Sequence, residues 1–167
     1  IIINRHNFRY EMENIARMFF HEREIEIVFD SQNPIGDSVV TEIRQNGEIF
    51  VSVSVCGLSA QKSEMRSSMD EKETEWQMAG LLYDCLTEIS KKEQKWGLLT
   101  GVRPSRLVHR MLDDGASIPE IRNKFLNEYR VSEEKFLLVW QTAQAEREVI
   151  LGSRPEDFSL YISIPFC

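Results

Sequence analysis

Val39-Val40-Thr41-Glu42-Ile43-Arg44-Gln45-Asn46-Gly47-Glu48-Ile49-Phe50-Val51-Ser52-Val53-Ser54-Val55 reads as two strands joined by a tight turn. Val39, Thr41 and Ile43 alternate with their neighbours, and Ile49, Val51, Val53 and Val55 alternate strictly with Phe50, Ser52 and Ser54. A period of two puts one set on a buried face and the other toward water. Asn46-Gly47 predicts a type I′ hairpin, because both residues tolerate the positive φ that such a turn needs. Upstream, Ile25, Ile27 and Phe29 alternate in the same way, and residues 1–3 read as a short strand. Phe8, Met12, Ile15 and Phe19 recur at helical spacing and form one apolar stripe. Residues 1–60 are therefore expected to form a small α+β unit, an antiparallel sheet with one packed helix.

From Gln61 the pattern predicts a helical subdomain over residues 61–151. Ser67 or Ser68 can cap a first helix, with Asp70 and Glu71 in its opening turn and Met78, Leu81, Leu82, Cys85 and Ile89 on its apolar face. Pro104 suits the first turn of a second helix, striped by Leu107, Val108, Met111 and Leu112 and closed by Gly115. Ser117-Ile118-Pro119-Glu120 is a capping box for a third, with Ile121, Phe125 and Tyr129 inward. Ser132 caps a fourth, where Val131 and Phe136 hold the two positions of a hydrophobic staple and Val139, Trp140, Ala143 and Ile150 extend the face. Gly152-Ser153-Arg154-Pro155 breaks that helix. Residues 152–167 then read as a linker and a new strand, Leu160-Tyr161-Ile162-Ser163-Ile164.

The 167 residues carry a net charge of −7, which argues against a general nucleic-acid binder, since phosphate neutralisation needs clustered Lys and Arg. Apolar runs are far shorter than the roughly 20 residues of a bilayer span, so no membrane partner is expected. Cys56, Cys85 and Cys167 are odd in number and contain no C-x-x-C pair, which points to a reducing cytoplasm rather than a disulfide framework. His6, His21 and His109 have no metal-ligand spacing. Arg103, Arg106, His109 and Arg110 fall close together, with Lys91, Lys92 and Lys95 upstream. Arginine forks match carboxylates in two-point contacts, so Arg103, Arg106 and Arg110 are candidate anion-binding residues. The same stretch also reads as a glycine turn at Gly97 and Gly101 followed by a solvated helix face.

Tyr161-Ile162-Ser163-Ile164-Pro165-Phe166-Cys167 resembles the Y-x-H-I-P-F-C segment of oxygen-independent coproporphyrinogen III oxidases and related radical S-adenosylmethionine (SAM) enzymes, departing at Ser163, where the family often has His. Trp96-Gly97-Leu98-Leu99-Thr100-Gly101-Val102-Arg103-Pro104 resembles the W-G-x-L-T-G-V-R-P stretch of the coproporphyrinogen dehydrogenase branch. The resemblance implies that Cys167 is the first of three thiolates holding a [4Fe–4S] cluster, with two more beyond residue 167. It also implies that Tyr161 lies near cluster and SAM. The last strand would open a partial β/α barrel outside this chain. Implied partners are that barrel, a tetrapyrrole substrate and an electron donor such as flavodoxin or ferredoxin. On this resemblance the chain is an accessory region without catalytic residues of its own, holding no complete cofactor site. Two other readings stay open: a helix-turn-helix module over residues 118–150, whose second helix opens with Glu133 and Glu134, and the same radical scaffold serving haem handling or RNA modification.

Overall fold

The computed structural model describes residues 1–167 apart from 32, 33, 35, 100–102, 155, 159 and 164–167. It is α+β: β1 (Ile2–Asn4), α1 (Arg9–Phe19), β2 (Val28–Phe29), β3 (Ser38–Ile43), β4 (Glu48–Val55), β5 (Leu58–Met65), α2 (Glu71–Ser90), α3 (Ser105–Asp113), α4 (Ile118–Asn123) and α5 (Glu133–Gly152), with a π-helical turn over Lys124–Glu128. The strands form one sheet in the order β2-β1-β3-β4-β5. It is mixed rather than antiparallel, because β1 runs parallel to both β2 and β3. The cause is connectivity: α1 carries the chain back from the end of β1 to the start of β2, and a helical crossover returns a strand in the same direction.

Both hairpins refine the expected turn chemistry. At the β3–β4 turn the Arg44 carbonyl accepts from Gly47 N (2.9 Å) and Asn46 Oδ1 accepts from Glu48 N (3.1 Å). There Gly47 has φ +84° while Asn46 does not enter the left-handed region. The turn is therefore centred on Gln45-Asn46 with glycine after it, not type I′. The two-residue type I′ geometry occurs instead between β4 and β5, where Cys56 and Gly57 have φ of 53° and 78° and Val55 faces Leu58. The sheet thus continues to Met65, past the position where helices were expected to begin, and the helix that follows is capped by Asp70, whose carboxylate accepts from Lys72 N (3.2 Å).

Helices α1 and α2 cover one face of the sheet. Ile49, Val51 and Val53 point into a core with Met12, Ile15, Met78, Leu82, Cys85 and Leu86, and all are fully buried. Each such side chain contributes roughly 1.5–3 kcal/mol of transfer free energy. Phe50, Ser52 and Ser54 on the other face are only half-buried. α2 thus belongs with the sheet, and the second core is built from later elements: Val108 of α3, Ile121 of α4, Phe125, Val131, and Phe136, Val139 and Ala143 of α5. The capping box forms as the spacing predicts, with Ser117 N and Oγ both donating to Glu120 Oε2 (2.7 and 2.6 Å). Ser132 Oγ accepts from Lys135 N (3.3 Å). Ile150, expected on the buried face, is 57% exposed, because α5 outruns the elements it packs against. Residues 160–163 form no strand. A strand needs a neighbour for its backbone groups, and no described strand lies beside them.

Candidate functional site

The segment Lys95–Leu99 joins the two cores. Leu98 is buried in the sheet core, while Trp96 and Leu99 pack against the helical core. Leu98 N donates to Tyr129 O (2.8 Å), and Lys95 O accepts from Ser132 N (3.0 Å). On the other side, Gln94 N donates to the Tyr83 hydroxyl (3.0 Å) and Gln94 Nε2 to Met18 O (2.9 Å). Gly97, at φ +55°, sits where a Cβ would fall on the backbone of Tyr129 and Arg130. The first glycine of the motif is thus a close-approach residue inside the protein. Gly101 lies outside the described residues, as do Thr100 and Val102.

Immediately after this junction, Arg103 just ahead of α3 and Arg106 and Arg110 on α3 are exposed, and all three line a cleft of about 940 Å³ between α3 and the end of α5. Helical spacing puts Arg106 and Arg110 on one side of α3, since residues four apart are neighbours there, and Arg103 lines the same cleft from the segment before the Pro104 cap. None of the three makes an ion pair among the described residues. Two cross-links hold the helices beneath the cleft: His109 Nε2 to Glu146 Oε2 and Arg147 Nη1 to Asp113 Oδ1, each 2.9 Å. The His109 bond, with help from Ser105 and Arg103, keeps the Glu146 carboxyl below the usual carboxylate range. Leu99, Leu107, Ile150 and Leu151 supply an apolar wall. Of this site, the arginines were readable from their spacing. Arg147 and the leucine–isoleucine wall were not, since their approach depends on how α3 crosses α5.

The remaining expected site residues are not brought to this cleft. Tyr161 is 88% exposed, in a segment without regular structure, and does not line it. Cys167 lies outside the described residues. Of the described cysteines, Cys56 sits at the β4–β5 turn and accepts from Arg23 Nη2 (3.2 Å), whereas Cys85 is buried and its thiol is pushed up to about 11 by burial. A cluster ligand must be a thiolate, so Cys85 is unsuited to the role. Among the described residues no group of three His, Cys, Asp or Glu side chains could hold a metal ion, so these residues do not fit an iron–sulfur cluster. No described helix is long and apolar enough to cross a membrane. At the start of α5, Glu133 receives Arg122 Nε (3.1 Å) and Glu134 receives Lys95 Nζ (2.8 Å). That helix end is acidic and engaged with its own chain, unlike a recognition helix approaching phosphates.

No family model matches the chain, and no solved structure matches it. Over 166 residues it is 27% identical to the oxygen-independent coproporphyrinogen-III oxidase-like protein HemZ of Bacillus subtilis (strain 168). The alignment takes in 93% of this chain and 33% of that protein, so the chain spans about a third of the length of the curated relative it matches. With the Trp96–Pro104 and Tyr161–Cys167 segments pointing the same way, the chain resembles an oxygen-independent coproporphyrinogen-III oxidase-like protein over nearly its whole length.

Proposed function

We propose that this chain is an accessory, non-catalytic region of a radical SAM oxidoreductase that acts on a coproporphyrinogen-type tetrapyrrole in haem biosynthesis. The observation that carries the reading is the alignment across 93% of the chain, coupled to a terminal Y-x-x-I-P-F-C segment at residues 161–167. Cys167 is then one thiolate of a [4Fe–4S] cluster whose other ligands, with the SAM site, belong to a partial barrel elsewhere in the same protein. Tyr161 lies beside that site when the barrel is present. The exposure of Tyr161 and its neighbours Leu160 and Ile162 supports this, because three large apolar side chains in a row are costly to leave in water. Arg103, Arg106 and Arg110 receive an anionic group of the substrate. The protein works in the cytoplasm, with a flavodoxin- or ferredoxin-like electron donor.

The test uses the longer protein that contains this chain, reconstituted anaerobically with iron and sulfide. The expected outcome is [4Fe–4S] absorbance and reductive cleavage of SAM, both lost in Cys167→Ala, while the 167-residue chain alone shows neither. A longer protein with all its cysteines intact that takes up no cluster overturns the reading.

A further inference from the structure

We infer that the free edge of β5 is a dimerisation strand: two copies of this chain pair β5 with β5, antiparallel about Gln61, and join their sheets into one. The inference rests on the sheet alone and not on the function proposed above. β5 is eight residues long and ends the sheet, so one of its edges has no neighbour among the described strands. Arg66 N donates to Gly47 O (3.2 Å), which sets the phase of the β4–β5 ladder. In an antiparallel pair, residues that exchange hydrogen bonds alternate with residues that do not. Leu58, Ala60, Lys62 and Glu64 therefore turn their backbone groups toward β4, and Ser59, Gln61 and Ser63 turn theirs outward. All three are exposed, and their outward N–H and C=O groups have no partner among the described residues.

Sheets commonly blunt such an edge with a proline, a bulge, a charge or a very short strand. The opposite edge is protected by length, since β2 holds only Val28 and Phe29. β5 has no proline, and its pairing with β4 runs unbroken from Leu58 to Met65. Its lysine, Lys62, leans over the helix-covered face to Glu88 of α2 (3.6 Å) rather than across the edge. A second copy is the occupant these groups fit. Ser59 and Ser63 are symmetric about Gln61, so a two-fold axis there pairs Gln61 with Gln61 and Ser59 with Ser63, and every outward group is used. Sliding the register toward Met65 needs the Met65 carbonyl, which Gln77 Nε2 already holds (2.9 Å), and the first such step sets Lys62 against Lys62. Sliding it toward the turn needs Gly57, whose φ of 78° takes it out of the strand. In the symmetric register Lys62 faces Ala60, so no like charges stand directly opposite.

The test is sedimentation equilibrium of the 167-residue chain and of the longer protein that contains it, each with Gln61→Pro and Gln61→Lys. Proline at 61 removes an outward N–H and leaves the β4 ladder intact, while lysine keeps the strand and sets two charges face to face. Reversible association of both proteins toward twice the monomer mass, weakened about tenfold or more by both substitutions, supports the dimer. Far-UV circular dichroism checks the fold of the variants, and the lysine variant carries the test if the proline variant unfolds. Oxidation in a Cys56→Ser/Cys167→Ser background reads the register. Gln61→Cys is expected to form an intermolecular disulfide, because the Cα atoms of a bonded pair stand about 5.5 Å apart. Ser59→Cys is expected to form none, since its counterpart lies about 13 Å along the strand. Either protein staying monomeric, a dimer indifferent to both substitutions, or cross-linking of Ser59→Cys without Gln61→Cys overturns the inference. Exchange-protected amides at Ser59, Gln61 and Ser63 in a monomeric longer protein assign the edge to another part of that protein, which also overturns it.

Discussion

His6 shows how a side chain between two elements acquires its chemistry. It follows β1, and its ring is fixed from both sides: Nε2 donates to Thr41 Oγ1 (3.0 Å) while Nδ1 accepts from Phe8 N (3.2 Å), at the entrance of α1. Burial lowers its pKa to about 4. The geometry gives the same sense, since a proton on Nδ1 would face the Phe8 N–H. The folded state therefore holds His6 neutral, and the unfolded chain binds its proton more readily, near the ordinary value of 6.5. The stability this provides is complete above pH 6.5 and is lost as pH falls toward 4. Urea midpoints measured across that window are expected to fall more steeply for the native chain than for His6→Gln. Parallel slopes would show that the histidine does not titrate abnormally.

The β4–β5 hairpin is an element whose turn was hard to recognise. Asn-Gly was the signal for type I′ geometry, but that pair sits in the other hairpin, and Cys56-Gly57 adopts it instead. Register decides this: Val53 and Val55 must stay on the buried face, Val55 pairs with Leu58, and two residues are all that remain for the turn. A cysteine at φ 53° carries a Cβ penalty that asparagine largely avoids. Cys56→Asn is accordingly expected to stabilise the chain by about 0.5 kcal/mol in chemical denaturation, a part of the usual left-handed penalty. A decrease would mean that the thiol contact with Arg23 outweighs the backbone term. The same comparison explains the mixed sheet. Alternation reveals which face of a strand is buried, but it carries no direction, and the parallel placement of β1 came from the path of α1.

In the whole molecule, two apolar cores meet along the Lys95–Leu99 segment. Tyr83 Oη accepts from Gln94 N (3.0 Å), and Arg130 Nε reaches Asp84 Oδ1 (3.3 Å) across the same junction. Gly97 lies at its centre. Gly97→Ala forces a left-handed alanine and drives its methyl group onto the Tyr129–Arg130 backbone, and is expected to cost about 2–4 kcal/mol. Urea unfolding followed by tryptophan fluorescence and far-UV circular dichroism measures it, with Gly80→Ala in the open middle of α2 as the control that stabilises by about 0.5–1 kcal/mol. A G97A chain as stable as the parent would show that the two cores separate without cost.

Local chemistry was legible from the residues alone. The period-two runs of β3 and β4, the Met12–Ile15 stripe, the Ser117–Glu120 box and the Ser132 cap each depend on neighbours within a few positions, and the structure contains them; the Ile25–Phe29 run was misleading, since only Val28–Phe29 pair as a strand there and both are exposed at the sheet edge. Arg106 and Arg110 were legible for the same reason, since one helical turn places them on one face of α3, and Arg103 lies two residues before that helix begins. Only the tertiary structure decided that α2 packs on the sheet rather than with the later helices, that Gly97 accommodates another backbone, and that Arg147, Ile150 and Leu151 complete a cleft opposite those arginines. These features depend on contacts between residues distant in sequence, which are set by how whole faces fit together and leave no period in the chain.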